Sequence, residues 1–189
     1  MVLENRFNKL IEARHGTILY NKNDIYIGKS IEKYGEFSYL EAKIFEQICK
    51  AGDVVIEVGA NIGAHTLYLS KLVGNGFVFA FEPQRLVFQN LCANLALNSI
   101  SNVFAYQEAV SNENGTIIIP ECNFKENNNF GGINIENTKN GTTVNKQKLD
   151  NFLNKIDRLK LLKIDVEGME ILVIKGAKEL IDKFRPIIY

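Results

Sequence analysis

The sequence predicts an α/β fold in which helices cover both faces of a mostly parallel sheet, forming a three-layer sandwich. Short apolar runs typical of buried strands alternate with longer stretches in which apolar residues recur every three or four positions. Such alternation is typical of parallel strands joined by helices. A length of 189 residues suits one domain with a substantial core, so we treat residues 1–189 as a single domain.

The first 51 residues predict an N-terminal hairpin and a helix. Apolar and polar residues alternate in Thr17–Tyr20 and again in Ile25–Ile27, on either side of a polar turn, which predicts a hairpin over 17–31. Ser38 lies where it would cap a helix that ends near Ala51 and Gly52. That helix carries apolar residues at spacings of four: Leu40, Ile44 and Ile48.

Residues 52–189 predict the α/β core. The predicted strands cover 53–58, 77–81, 103–106, 116–119, 161–164 and 186–189. The predicted helices cover 63–72, 84–98, 149–153 and 169–183, with apolar stripes such as Val87, Leu91 and Leu95 and, in the last helix, Ile171, Ile174, Ala177, Leu180 or Ile181, and Phe184.

Residues 120–145 form an insertion of different character. They contain eight asparagines and the pair Gly131-Gly132. One interpretation is an exposed, mobile loop; the other is a lid that binds the acceptor, because long irregular segments inside compact domains are often functional.

The most informative segment is Asp53–Gly63, an apolar strand that leads into a glycine turn and a helix. Its glycines form the pattern Glu57-x-Gly59-x-x-x-Gly63, with Asn61 at the position where a dinucleotide loop requires glycine. No Gly-Lys-Ser/Thr follows, which argues against a phosphate loop. A loop close to a ligand without a pyrophosphate suits S-adenosylmethionine, although the glycines would also serve tight strand–helix packing alone.

A second acidic residue supports a nucleoside-type ligand. Glu82 ends the next predicted strand, nineteen residues after Gly63. A carboxylate at that place accepts hydrogen bonds from both ribose hydroxyls.

Composition narrows the partners and the compartment. With 22 basic and 22 acidic residues, nothing favours nucleic acid or a membrane surface, and no apolar run or leader predicts membrane insertion or export. The three cysteines form no pair motif; Cys49 and Cys92 are predicted to be buried, and a cytoplasmic location fits. Two histidines without a ligand cluster predict no metal site, and a homo-oligomer is left open.

Three blocks together resemble the FkbM-type S-adenosylmethionine-dependent methyltransferases. They are Asp53–Thr66, Phe81-Glu82-Pro83 and Leu162–Gly176, and the last, with Lys-Ile-Asp-Val-Glu-Gly-Met-Glu, is the specific one. The resemblance runs from about residue 34 to the end. It implies the class I methyltransferase fold and O-methylation of a hydroxyl on a sugar or glycan, a polyketide or a related small metabolite.

The resemblance also implies site residues. Glu57, Gly59, Asn61 and Gly63 would surround the methionine end of S-adenosylmethionine, and Glu82 would hold the ribose. The adenine would lie near the residues after the third strand, Ala109 and Val110. The class I fold has two strands beyond Ile187–Tyr189, so we expect either a truncated chain or another element over that sheet edge.

Removing the acceptor's proton calls for a general base, and Asp165 is the first candidate. It follows a predicted central strand, at the edge where open α/β sheets bind ligands. Glu167 is two residues further on and would share that role or pair with Lys163. Alternatively, both carboxylates only cap the helix that begins near Gly168.

Four other residues are candidates for this edge or its surroundings. His65 follows Gly63 and would act as a base, contact the acceptor, or only fill space. Glu36 would reach the cofactor or the acceptor, or lie in a solvated turn, while Tyr34 and Phe37 are expected in the core or a lid. Two further functions stay open: a non-catalytic S-adenosylmethionine-binding module, and a nucleotide-dependent oxidoreductase, which Asn61 and Ala64 disfavour.

Overall fold

The computed structural model describes residues 3–133 and 140–189 and contains three sheets with helices packed between and around them. The strands are β1 Leu3–Glu4, β2 Asn8–Ala13, β3 Gly16–Asn21, β4 Val54–Val58, β5 Phe77–Phe81, β6 Val103–Tyr106, β7 Ala109–Val110, β8 Gly115–Ile119, β9 Thr142–Gln147, β10 Leu161–Ile164 and β11 Ile187–Ile188. The helices are α1 Ile27–Tyr34, α2 Tyr39–Ile48, α3 Ala64–Val73, α4 Arg85–Leu97, α5 Glu170–Lys175 and α6 Lys178–Phe184, with a 3-10 helix at Leu149–Phe152.

The central sheet has five parallel strands in the order β11–β10–β4–β5–β6. Successive strands β4, β5 and β6 run outward in one direction, whereas β10 returns to the other side of β4. The strand order therefore reverses between β4 and β10. In open α/β sheets, ligands bind at such a reversal, beyond the carboxyl ends of the strands.

Successive side chains of a strand point to opposite faces of the sheet, so the core lies on both faces. In β4, Val54, Ile56 and Val58 pack in one cluster with side chains of the 3-10 helix, α5 and α6. Val55 packs on the opposite face, in a cluster that includes residues of α2 and α3. The predicted three-layer α/β fold is confirmed, and the stripe of Val87, Leu91 and Leu95 is buried as predicted.

The N-terminal hairpin differs from its prediction. Strand β3 contains Thr17–Tyr20, but its antiparallel partner is β2, which precedes it. Ile27 begins a helix instead, because the buried Asp24 accepts hydrogen bonds from the backbone N–H groups of Tyr26 (2.9 Å) and Ile27 (3.1 Å). The aspartate thus caps α1 and removes this segment from the hairpin.

The last predicted helix is divided in two. Leu180 N–H donates to Asp150 Oδ1 at 3.0 Å, so a residue distant in sequence caps a separate helix α6. Gly176 lies at the break, where a Cβ atom would be 2.0 Å from the carbonyl oxygen of Ser111. The break changes the buried stripe to Val173, Ala177 and Leu180 and leaves the predicted Ile171 and Ile174 exposed.

Three smaller expectations also need correction. Cys49 is buried as predicted but Cys92 is exposed. Ser38 occupies the cap position of α2 without a side-chain capping hydrogen bond, and Leu40 on that helix is 74% exposed. The insertion ends in a regular strand, β9, which pairs with β7 and β8. Residues 134–139 of the insertion lie outside the described residues.

Candidate functional site

The reversal between β4 and β10 brings together the two loops that the sequence singled out. Gly59 follows β4 directly and Asp165 follows β10. The loops touch: a Cβ atom on Gly59 would lie 1.9 Å from the carbonyl oxygen of Asp165. Only glycine permits this approach, and its φ of +85° also lies in the left-handed region.

The rest of the glycine turn is held in a left-handed conformation as well. Asn61 has a φ of +51° and Gly63 one of +86°. Asparagine tolerates this region better than most residues, and its side chain accepts a hydrogen bond from Ile62 N–H at 2.8 Å. Asn61 thus provides the turn at the position where a dinucleotide loop has glycine.

Glu82 connects the end of β5 to the glycine turn. Its two carboxylate oxygens accept hydrogen bonds from Asn61 N–H (3.0 Å) and Gln84 N–H (2.8 Å). The side chain is buried, and burial raises the pKa of Glu82 to about 7, although both hydrogen bonds act in the opposite direction. Glu82 is therefore a buried carboxyl group that titrates near neutral pH.

A cleft opens over these loops. The carboxylates of Glu82, Asp165 and Glu167 line it together with Gly59 and Asn61. Its remaining walls come from the N-terminal segment and the insertion: Tyr26, Ile27, Phe37, Asn129, Gly131 and Gly132.

The described start of the insertion, residues 121–133, covers this cleft and is called the strap below. Phe124 and Phe130 stack at 4.5 Å between ring centroids, and Phe130 is buried. Gln84 Nε2 donates to the Phe130 carbonyl at 2.8 Å, and Ile25 N–H donates to the Asn128 carbonyl at 3.0 Å. The strap is therefore attached both to the loop after Glu82 and to the N-terminal segment.

A buried ion cluster lies beside Asp165. Lys163 Nζ is 3.0 Å from Asp165 Oδ2 and 3.5 Å from Glu57 Oε1, and both Lys163 and Glu57 have only 1% of their side chains exposed. Burial lowers the pKa of Lys163, but the two carboxylates outweigh it and the pKa is raised. Glu57 Oε2 accepts from Thr66 Oγ1 at 2.7 Å. Lys163 thus pairs with Asp165 and Glu57, whereas the sequence suggested Glu167 as its partner.

Asp165 and Glu167 do not begin the next helix. Helix α5 begins at Glu170 after Met169, and Gly168 N–H donates to Glu170 Oε1 at 3.3 Å. The geometry therefore departs from the alternative in which the two carboxylates serve only as caps.

His65 and Glu36 are both buried outside the residues that line the cleft. His65 packs between Phe37 and Phe45, at 5.5 and 5.4 Å between ring centroids, and burial lowers its pKa to about 3. Glu36 pairs with Arg14 Nε at 3.0 Å, so the solvated turn considered for it is wrong.

The residues predicted near the adenine are not among those that line the cleft. Ala109 and Val110 form β7, which pairs with β9, and both are buried, Val110 in the core cluster beneath the sheet. Conversely, sequence reasoning missed Tyr26, Thr66 and the strap's Asn129. Tyr26 lies in a segment without a motif, Thr66 ends the first block of the resemblance without a role of its own there, and only the asparagine-rich composition pointed to the strap.

The sequence predicts neither a metal site nor a membrane-spanning segment, and the described residues give the following. Within residues 3–133 and 140–189, no group of three or more His, Cys, Asp or Glu side chains is arranged to hold a metal ion. Among the helices that the structure describes, none combines the length and the apolar character needed to cross a bilayer.

The parallel sheet, its reversal at β4 and β10, and the glycine turn beside Glu82 define an open α/β fold with a cleft at the reversal. The family model described as the methyltransferase FkbM domain matches residues 57–189, more than half of the chain. The chain belongs to this family.

Similar proteins include methyltransferase sdnD of Sordaria araneosa, 27% identical over 181 residues, covering 76% of this chain and 70% of the relative. Hexuronic acid methyltransferase AglP of Haloferax volcanii is 29% identical over 126 residues, covering 66% and 49% respectively. A solved S-adenosylmethionine-dependent methyltransferase from Aquifex aeolicus is 19% identical, with a TM-score of 0.43, covering 73% of this chain and 54% of that one. This chain thus spans 49–70% of the two named relatives.

Proposed function

We propose that this protein transfers a methyl group from S-adenosylmethionine to a hydroxyl group of a sugar or glycan, a polyketide or a related small metabolite. The observation that carries the proposal is the meeting of the glycine turn, Glu82 and Asp165 at the sheet reversal. The first two would hold the cofactor, and the third lies where an acceptor hydroxyl would approach.

The residues at the reversal fit such a cofactor. Each oxygen of Glu82 accepts one backbone N–H and keeps further acceptor capacity, which matches the two hydroxyls of a ribose. Gly59, Asn61 and Gly63 would hold the methionine end by close backbone approach. The cofactor supplies the reactive methyl group when bound, and the protein supplies orientation.

Asp165 is the residue we assign as general base. It follows a central strand, lines the cleft, and has Oδ2 bound by Lys163 while Oδ1 has no hydrogen bond among the described residues. Glu167 lines the same cleft and is the second choice. His65 is a weaker candidate, because a buried imidazole whose pKa is about 3 accepts a proton poorly at neutral pH.

The cleft walls suit a small hydroxylated acceptor. Tyr26, with 61% of its surface exposed, and Phe37 form an aromatic wall, and their rings are 5.8 Å apart between centroids. Pockets for small molecules typically combine such apolar walls with a few polar groups. Asn129 of the strap and Glu167 would supply the polar contacts. The relative named for hexuronic acid methylation makes sugars the first acceptors to test.

Binding and turnover together test this function. Calorimetry with S-adenosylmethionine, S-adenosylhomocysteine and NAD should show binding of the first two only. Methyl glycosides of neutral hexoses and hexuronic acids, together with polyhydroxylated aromatics, form the acceptor panel. Asp165→Asn should preserve cofactor affinity and lower turnover by about 10²–10⁴-fold. Binding without any turnover would favour a non-catalytic module, and NAD binding alone would favour an oxidoreductase.

A further inference from the structure

We propose that Lys163 is a positioning residue that holds the Asp165 carboxylate at the cleft, while Glu57 and Thr66 hold Lys163 from behind. The inference rests on the function proposed for Asp165. It also moves Glu57 from a cofactor contact to a support for the base.

The strand register brings these groups together. In the parallel pair of β4 and β10, Lys163 lies directly opposite Glu57. Lys163 Nζ contacts Glu57 Oε1 at 3.5 Å, and Glu57 Oε2 is held by the Thr66 hydroxyl at 2.7 Å. Glu57 is fully enclosed and does not contribute to the lining of the cleft. Its Oε2 is therefore occupied by Thr66, while Oε1 has no hydrogen bond within the described part of the chain and faces the Lys163 ammonium.

The positively charged Lys163 also holds the Asp165 carboxylate. A buried ammonium needs anionic partners to remain charged. Glu57 is one such partner, yet Lys163 lies closer to Asp165, at 3.0 Å. The Asp165 side chain is 60% exposed and without this contact would be free to turn into solvent. Lys163 thus fixes one of its oxygens and leaves the other for the acceptor.

The backbone of Asp165 is fixed as well. Its N–H donates to the Val58 carbonyl at 2.9 Å, and its own carbonyl lies against Gly59. With backbone and carboxylate both held, the base keeps one geometry relative to the glycine turn. Positioning of this kind matters because small displacements of a catalytic group reduce rates strongly.

Nuclear magnetic resonance of the Lys163 ammonium group tests the contact without any acceptor. Asp165→Asn should shift the Lys163 ¹⁵Nζ signal and accelerate its hydrogen exchange. Glu167→Gln is the matched control, since Glu167 lines the same cleft without contacting Lys163 in the structure, and it should leave the signal unchanged. An unchanged signal in Asp165→Asn would overturn the proposal.

Turnover with the best methyl glycoside of the panel then tests the role. Lys163→Met should lower kcat by about 100-fold and leave S-adenosylmethionine affinity within about twofold, while the exposed Lys175→Met should change neither. In an Asp165→Asn background, Lys163→Met should have no further effect. Equal losses in both backgrounds would mean a merely structural role and contradict the inference.

A double variant keeps the test decisive if the single variant does not fold. If Lys163→Met alone does not fold, Glu57→Gln with Lys163→Met removes both buried charges and should show the same loss of kcat. Full turnover by Asp165→Asn would instead refute the assignment of the base, and the ammonium signal would still report whether Lys163 holds residue 165.

Discussion

At the residue scale, the chemistry of Glu82 is set by its surroundings. It is buried, it accepts hydrogen bonds from two backbone N–H groups, and it follows β5 directly and is bonded to the glycine turn. Glu82→Ala should weaken S-adenosylmethionine binding by about 1–3 kcal/mol, because hydrogen bonds to a charged acceptor are lost. Calorimetry measures this, with the exposed Glu179→Ala as a control; equal affinity in wild type and Glu82→Ala would remove the ribose assignment.

With Glu82 as the proposed ribose ligand, its pKa of about 7 predicts that cofactor affinity depends on pH. Ribose hydroxyls donate to the ionised carboxylate, so binding favours the deprotonated form and affinity should fall as pH drops through 7. Between pH 8 and pH 6, the ionised fraction of Glu82 decreases about tenfold, and affinity should weaken by about the same factor. Titrations across this range measure it. A wild-type profile as flat as that expected for Glu82→Ala would contradict the prediction.

At the scale of elements, the loops after β4 and β10 depend on each other through Gly59. Gly59→Ala places a methyl group against the Asp165 carbonyl and forces a non-glycine residue to φ +85°. We expect the free energy of unfolding to fall by about 2–5 kcal/mol from overpacking and backbone strain together.

Gly52→Ala is the matched control for that variant. Gly52 has a similar φ of +89°, but its nearest neighbour would be 3.7 Å from the new Cβ atom. It should lose only about 1–2 kcal/mol, from backbone strain alone. Chemical denaturation measures both variants, and equal losses would show that the contact with Asp165 is unimportant.

Elements with a local signal were predicted well, and those capped from a distance were not. Strands β5, β6 and β10 match their predicted bounds, because an apolar run between turn residues is sufficient to mark a buried strand. Helix α6 begins separately because Asp150 caps it, and no pattern within residues 169–183 contains that residue. Helix α1 was missed although its cap, Asp24, is local; the alternation around it resembled a hairpin more closely.

At the scale of the whole molecule, the buried Asn94 helps to attach the N-terminal sheet to the core, together with Asn98, which exchanges hydrogen bonds with the Thr17 backbone. Asn94 on α4 accepts from Leu19 N–H at 2.6 Å and donates to the carbonyls of Leu19 (3.0 Å) and Ile62 (2.8 Å). It therefore joins β3 to the glycine turn. This connection also places the N-terminal segment, with Tyr26, at the mouth of the cleft.

Asn94→Ala should lower the free energy of unfolding by about 1–3 kcal/mol, because it leaves buried backbone groups without partners. Denaturation measures the loss, and the exposed Gln89→Ala on the same helix should stay within about 0.5 kcal/mol of wild type. A stability loss no greater than that of the control would show that water replaces the asparagine.

The sequence by itself determined the fold class, the glycine turn and the carboxylates at the strand ends. These features are encoded locally: strand and helix periods differ, and Gly59, Asn61 and Gly63 lie within five residues of one another. Glu82 and Asp165 could be found because the carboxyl ends of parallel strands meet at one edge. Periodicity and spacing are therefore enough to locate the sheet edge over which the cleft opens.

Only the tertiary structure decided which groups contact one another there. Lys163 pairs with Glu57 through the register of two strands that are distant in the chain, and the strap lies over the cleft because Phe130 packs into the core. Likewise, His65 is enclosed by Phe37 and Phe45 of the N-terminal layer. Which side chains are buried, and which contact one another, depends on how the layers of the fold pack. That packing is determined by residues along the whole chain rather than by any one motif.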